Sequence, residues 1–148
     1  MYIRPNTSPL RRVMVRPFEH FIAAMLAIGA VQRAMGYGGP ISQMLSGALS
    51  IAWASLGAIA AAFIIAGIQW RGSSIMARGI EQVGWYAAIV VFAIRPLLIA
   101  LGFDVPPADY DYPYGGLILG AAALLRVIFL RRETAAERET VAAICDER

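Results

Sequence analysis

Four long apolar segments, separated by short polar stretches, dominate the pattern of residues along the chain. They cover roughly residues 18–35, 44–69, 83–103 and 114–130. The chain from Ala34 to Trp70 carries no charged residue. One straight helix of that length would measure about 55 Å, far more than the hydrocarbon core of about 30 Å. Glycines and a proline within residues 36–40 break this run, so the pattern predicts four helices, each about long enough to cross a bilayer.

Composition makes the lipid bilayer the expected solvent. Of the 148 residues, 59% are hydrophobic and 16% are charged, whereas soluble domains average about 45–50% apolar and about 25% charged residues. A chain of this size in water would leave large apolar patches exposed. We therefore predict an all-α integral membrane protein, a four-helix bundle over residues 21–130. A basic leader, residues 1–20, precedes it, and a charged tail, residues 131–148, follows.

The arginines predict the orientation of these helices. All 13 basic residues are arginine. If both termini are cytoplasmic, the two outer loops contain no arginine, and one contains Asp104, Asp109 and Asp111. The cytoplasmic segments then contain Arg4, Arg11, Arg12, Arg16, Arg71, Arg78, Arg131, Arg132, Arg138 and Arg148. Because positive residues are enriched on the cytoplasmic side, we expect a multi-pass protein of a bacterial inner membrane with both termini inside.

An alternative concerns the amino terminus. The short apolar run from Phe21 to Val31 also resembles the core of a cleavable signal, with small residues at Ala27, Gly29 and Ala30. Cleavage within residues 1–30 would leave three spans and an external amino terminus. A basic leader of about 20 residues is long for a signal, which favours the uncleaved four-span arrangement.

Two arginines form the candidate polar site inside the membrane. Arg95 lies about 18 Å into the third segment, next to Pro96, and a cation at the centre of a membrane helix costs about 2.5–3.5 kcal/mol on insertion scales. Arg33 lies near the outer end of the first segment, where its side chain can extend towards the headgroups. Glu81, before the third segment, is expected to pair with nearby Arg78.

Small residues predict where helices pack closely. A stripe with a period of four residues in the second segment comprises Ser46, Ser50, Ala54, Ala58, Ala62 and Ala66, and Gly116 and Gly120 form a G-x-x-x-G pair in the fourth. Such stripes serve packing within one chain or between chains. The aromatic and basic residues expected at the membrane interfaces are Trp70, Trp85, Arg126, Arg131 and Arg132.

No catalytic, metal-binding or cofactor-binding motif is present in the sequence, and we expect a protein that is not an enzyme and has no cofactor. A single cysteine, Cys145, excludes an intramolecular disulfide. The expected partners are the lipid bilayer and either a second copy or another membrane protein, with no nucleic acid.

The layout of the whole chain resembles small multi-span phage membrane proteins of the holin class, which have short spans, a basic cytoplasmic end and little mass outside the membrane. The resemblance is one of layout and carries over no individual residue. It implies a self-associating protein that permeabilises or remodels the inner membrane of a bacterial host. One alternative is a small channel or transporter, although four-span drug exporters use an acidic residue deep inside a span, where this sequence shows none. Another is an accessory or superinfection-exclusion protein that binds a membrane partner.

Overall fold

The computed structural model describes residues 16–37, 47–102 and 115–146, apart from the side chains of Arg95, Val141, Cys145 and Asp146. These residues form four helices and no strand, which confirms the all-α prediction for this part of the chain. The helices are α1 (Pro17–Ala34), α2 (Gly47–Gln69), α3 (Ser74–Ala100) and α4 (Gly115–Asp146). The leader before residue 16, Ser46 and the loop with three aspartates lie outside the described residues.

The break predicted after the first apolar segment begins at Gly36. α1 starts with Pro17, a position where a missing backbone N–H removes no helical hydrogen bond. At its other end, the Gly36 N–H donates to the Arg33 carbonyl and the Tyr37 N–H to the Gln32 carbonyl. Gly36 has a φ of +82°, a conformation that glycine adopts without a Cβ clash. The pair of hydrogen bonds is a Schellman motif, which turns the chain away from the helix axis.

Each helix packs antiparallel against the next one along the chain. His20, near the start of α1, contacts Gln69 at the end of α2, and Arg78, near the start of α3, contacts Glu133 in the second half of α4. The apolar core lies along these helix pairs. Its fully buried members include Ile22, Leu26, Ala60, Ile64, Trp85, Ala88, Val91, Ala123, Val127 and Leu130.

Two glycines allow α2 and α3 to approach closely. A Cβ atom on Gly67 would lie 2.6 Å from the backbone nitrogen of Glu81, and one on Gly84 would lie 2.6 Å from that of Ile64. Both distances are shorter than van der Waals contact, so no other residue fits at either position without a shift of the backbone. We call the end of the molecule near Glu81 the Glu81 end, and the opposite end, where α2 begins with Trp53 near its start, the Trp53 end.

The helices at the Glu81 end extend beyond the apolar segments. α3 begins at Ser74, nine residues before the apolar segment that starts at 83, where a loop was expected, and α4 continues through most of the charged tail. These extensions contact each other. Glu137 of α4 accepts hydrogen bonds from Ser74 and Arg78, and Arg78 Nε lies 3.5 Å from a Glu133 carboxylate oxygen. Hydropathy does not detect such helices because polar pairs hold them together.

Within the described ranges, two helical stretches are long and apolar enough to cross a membrane, Gly47–Gln69 and Ser74–Ile94. Large apolar side chains are also exposed on the surface of all four helices. Examples are Phe21 and Ile28 on α1, Ile51 and Ile59 on α2, Val83 and Val90 on α3, and Ile118 and Leu125 on α4. The four helices thus expose large apolar side chains to their surroundings as well as burying others in the core.

We predict that Gly84→Ala destabilises the fold by about 1–3 kcal/mol, the usual cost of overpacking a close contact. Its Cβ would meet backbone atoms of Ile64 and Ala60, which cannot rotate away. The matched control is Gly79→Ala on the same helix, where a Cβ meets nothing within 4 Å. Gly79→Ala should stabilise by about 0.5–1 kcal/mol through helix propensity. Unfolding followed by circular dichroism in detergent micelles measures both, and equal effects would disprove the close packing of α2 on α3.

Candidate functional site: a buried ionic cluster and an open groove

A carboxylate buried at the Glu81 end accepts hydrogen bonds from three side chains. Glu81 is 0% exposed. Its Oε2 accepts from Arg16 Nη1 at 3.0 Å. Its Oε1 accepts from Arg126 Nη2 at 2.9 Å and Nε at 3.2 Å, and from the Trp85 indole N–H at 3.3 Å. Each carboxylate oxygen therefore accepts at least one hydrogen bond from an arginine, and Oε1 also accepts one from the Trp85 indole.

The arginines that bind this carboxylate make further polar contacts. Arg126 Nη2 lies 3.4 Å from the Glu19 carboxylate. The His20 Nδ1 donates to the Arg16 carbonyl at 2.8 Å, which leaves Nε2 to accept from the Gln69 amide at 3.4 Å. We call Arg16, Glu19, Glu81, Trp85 and Arg126 the Glu81 cluster. It joins α1, α3 and α4, and His20 links it to the end of α2.

The cluster joins three helices through paired charges. Two arginines and two glutamates balance the charge within it, and the buried carboxylate faces donors on every side. A buried ion pair compensates for lost hydration only when its hydrogen bonds are satisfied, as they are here. Its chemistry is therefore to hold three helices in one arrangement.

Several sequence-based predictions are corrected by this cluster. Glu81 pairs with Arg16 and Arg126, and not with Arg78, which contacts α4 instead. Arg126 and Trp85 were expected as interfacial anchors, but Arg126 turns inward to two carboxylates and Trp85 is 1% exposed. Glu81 lies eight residues into the apolar stretch Ser74–Ile94, near its start and not in its middle.

The candidate intramembrane arginine Arg33 has a different environment at the Trp53 end. Its guanidinium carbon lies 4.0 Å from the centre of the Trp53 ring, and Nη1 would be 3.4 Å from a Cβ on Gly29. The side chain thus points back along α1, as helical side chains do, and does not extend outward past the helix end as expected. Among the described residues no carboxylate lies within ion-pair distance of Arg33.

The contact with Trp53 attracts the guanidinium but does not neutralise its charge. A cation–π contact contributes about 0.5–2 kcal/mol, and the described residues add no ion pair to it. The Trp53 indole N–H is itself buried and has no hydrogen-bond partner among the described residues. At the Trp53 end, the Arg33 guanidinium thus has no anionic partner and the Trp53 indole N–H has no acceptor among the described residues.

An open groove between α1 and α2 begins beside Arg33. Its volume is about 770 Å³. Apart from Arg33, Ser50 and Ser55, its walls are apolar and consist mainly of small residues. They include Ala27, Ala30 and Ala34 of α1 and Gly47, Ala54, Ala58, Ala61, Ala62 and Ile65 of α2. We call it the α1–α2 groove.

The predicted stripe of small residues winds around α2. Ala54 is buried, Ser50 is half-buried, and Ala58, Ala62 and Ala66 are exposed. A period of four residues rotates by about 40° per step on a helix of 3.6 residues per turn, so the stripe leaves the packed face. The residues that pack within the chain are spaced by three and four, at Ala54, Gly57, Ala61, Ile64 and Ile68.

The glycine pair of α4 packs within the chain. A Cβ on Gly116 would lie 2.7 Å from the Phe92 carbonyl oxygen of α3, and one on Gly120 would lie 3.8 Å from the Phe92 Cβ. This close approach occurs four residues before Pro96, the only proline inside the described helices after their first turn. The small residues therefore let α4 pass close to the backbone of α3.

The remaining predicted residues do not join either site. Trp70, Arg131 and Arg132 are exposed, as interfacial anchors would be, and Arg131 lies over the Tyr86 ring at 5.7 Å. The Arg95 backbone is helical, but its side chain lies outside the described residues. Sequence reasoning missed Glu81 as the central residue. One signal was available, since Glu81 is the only acidic residue between Glu19 and Asp104.

Comparisons with protein-family models, curated proteins and solved structures found no match to this chain.

We predict that Glu81→Gln lowers the free energy of unfolding by about 3 kcal/mol. It keeps the size of the side chain but leaves Arg16 without an anion in a buried site, and removing one partner of such a pair typically costs about 3–5 kcal/mol. The control is Glu133→Gln, which removes an exposed partner of Arg78 and should cost at most about 1 kcal/mol. Denaturant titration in micelles compares the two, and a small effect of Glu81→Gln would contradict the role assigned to the cluster.

Proposed function

We propose that the protein is a four-helix bundle of a bacterial inner membrane that self-associates through α2 and thereby permeabilises or remodels the membrane. The observation that carries this proposal is an exposed line of small residues along α2, spaced as in helices that pack against one another. Both termini are cytoplasmic in this arrangement, and the Glu81 end faces the cytoplasm.

Membrane insertion is supported by the distribution of charge in space. α2 carries no charged residue, and Arg126 of α4 is paired with Glu19 of α1 and with Glu81 of α3. Described arginines concentrate at the Glu81 end, where Arg16, Arg71, Arg78, Arg126, Arg131, Arg132 and Arg138 are found. This asymmetry is what the positive-inside rule requires of a cytoplasmic end.

Self-association is supported by a second packing line on α2. Five of its six positions are small, and all six are exposed. They are Ala48, Ala52, Ser55, Ile59, Ala62 and Ala66, which follow one another at spacings of four and three residues. This is the spacing that keeps a face directed at a neighbouring helix. We call these residues the exposed α2 seam.

The described residues of α4 present no comparable face. Over its apolar half, α4 exposes mainly Leu117, Ile118, Leu124, Leu125, Ile128 and Phe129, with Ala121 as its one exposed small residue there. In lipid, helices associate where small residues let their backbones approach, since lipid contacts large apolar side chains as well as protein does. We therefore expect contact between copies to occur at the exposed α2 seam.

Permeabilisation is proposed as the result of this association. The charged groups of the Glu81 cluster pair with one another within one chain. A polar path through a single copy would therefore have no unpaired charged group of this cluster to line it. Assembly of several copies displaces lipid over a larger area, in keeping with the resemblance in layout to holin-class proteins. The same seam also fits a helix of another membrane protein, and the experiments below distinguish the two partners.

The topology is tested with reporter fusions in bacteria. Alkaline phosphatase, active only outside the inner membrane, should be active when fused after Gly39 or after Asp109. Fusions after Gly72 and after Arg148 should be inactive, because both positions follow an even number of crossings. An active fusion after Gly72 would contradict the four-span arrangement, and activity at none of the sites would contradict insertion.

Self-association is tested with Ala66→Ile, which retains an apolar side chain but separates helices that meet at the exposed α2 seam. Wild-type protein should form crosslinked oligomers and depolarise the cells that express it, and Ala66→Ile should lose both. The matched control, Ala121→Ile, makes the same change on α4 and should behave like wild type. Depolarisation without oligomers would favour a channel formed by one chain. Wild-type protein that gives neither oligomers nor depolarisation would favour binding to another membrane protein.

A further inference from the structure

Arg33 lies at the mouth of an apolar groove and has no carboxylate within ion-pair distance among the described residues. Its guanidinium lines the α1–α2 groove at the Trp53 end. The groove is open and α2, its other wall, carries no charged residue. The guanidinium is therefore accessible to an anion that enters the groove.

We infer that the α1–α2 groove binds one anionic phospholipid, whose phosphate pairs with Arg33 and whose acyl chain lies along Ala58 and Ile65. A guanidinium pairs with phosphate through short, charge-assisted hydrogen bonds. The walls beyond Arg33 consist of small apolar residues, which leave room for a hydrocarbon chain without a competing polar group except Ser50 and Ser55. This inference rests on the membrane insertion proposed above and is independent of self-association.

The dimensions of the groove suit this ligand. Its volume of about 770 Å³ lies within the range of about 300–1,000 Å³ typical of ligand pockets. Along α2 the lining residues extend from Ser50 to Ile65, about 22 Å at 1.5 Å per residue. This exceeds half of the hydrocarbon core, about 15 Å. An acyl chain of a lipid in the outer leaflet therefore fits along the groove with its headgroup at the Trp53 end.

A helix of a second copy is a poorer occupant. An apolar helix laid in the groove would cover Arg33 without providing a carboxylate and would bury an unpaired charge. Of the exposed α2 seam, Ser55 and Ala62 line the edge of the groove, whereas Ala48, Ala52, Ile59 and Ala66 do not line it. The charge at the groove mouth thus favours a lipid anion over a protein helix.

The test measures retention of lipid by purified protein in a neutral detergent, using native mass spectrometry. Wild-type protein should retain one molecule of phosphatidylglycerol and bind it about tenfold more tightly than phosphatidylcholine. Both lipids carry a phosphate, but the choline ammonium cancels its charge and repels the Arg33 guanidinium. Arg33→Gln should abolish this preference, and Arg33→Lys should restore most of it. Arg132→Gln, which removes an exposed cation at the Glu81 end, should leave the preference unchanged.

A second variant tests the groove without changing its charge. Ala58→Leu fills the groove and should reduce the binding of both lipids, whereas Ala121→Leu on α4 should not. Circular dichroism and detergent solubility confirm folding of each variant. Equal retention of phosphatidylglycerol by wild type and Arg33→Gln would overturn the inference. Loss of oligomers in Ala58→Leu with no change in lipid retention would instead identify the groove as a contact between copies.

The outcomes separate this inference from the proposed function. Ala66→Ile lies on the exposed α2 seam and outside the groove, so it should abolish oligomers while lipid retention persists. Selective lipid retention in a protein that never forms oligomers would support the lipid site and contradict self-association. Oligomers that form without lipid selectivity would support self-association and contradict the lipid site.

Discussion

A carboxylate removed from water must be neutralised where it lies, and in this protein that requirement applies to Glu81. Desolvation of a single ion costs several kcal/mol even after relaxation. The compensation comes from Arg16, before α1, and from Arg126, in the middle of α4. Because both cations must reach one carboxylate on α3, the positions of α1 and α4 relative to α3 are fixed together. Gly67 completes the arrangement, since a side chain there would collide with the backbone of Glu81.

Hydropathy predicted the helices well and their contacts poorly. The absence of charge identified α2, and the glycine at position 36 correctly marked the end of α1. Hydropathy is a local average, however, and the contacts of Glu81 come from residues 65 and 45 positions away along the chain. The nearest cation, Arg78, was the natural choice from sequence alone. It was wrong because the helical extension of α4 provides Arg78 with acceptors of its own.

The predicted stripe on α2 shows a similar limit. A repeat of four residues looks regular in the sequence, yet on the helix it drifts from the packed face at Ala54 to the exposed face at Ala66. Spacings of three and four residues follow one face, because their mean of 3.5 is close to the helical repeat. Two such lines exist on α2, one buried within the chain and one exposed. α2 carries no charged residue and has one packing line on its buried side and one on its exposed side. An uncharged exposed side of this kind is typical of a helix in a membrane environment.

Arg126 and Arg33 show what separates a structural charge from a binding site in such a chain. Both lie in apolar segments and both turn away from the helix ends, so position in the sequence does not distinguish them. Arg126 meets two carboxylates and completes a neutral cluster. Arg33 meets the face of Trp53, which attracts a cation but does not neutralise it. Among the described residues no carboxylate neutralises it, and in the proposed membrane arrangement its position at the end of α1 places it where an anionic headgroup can reach it.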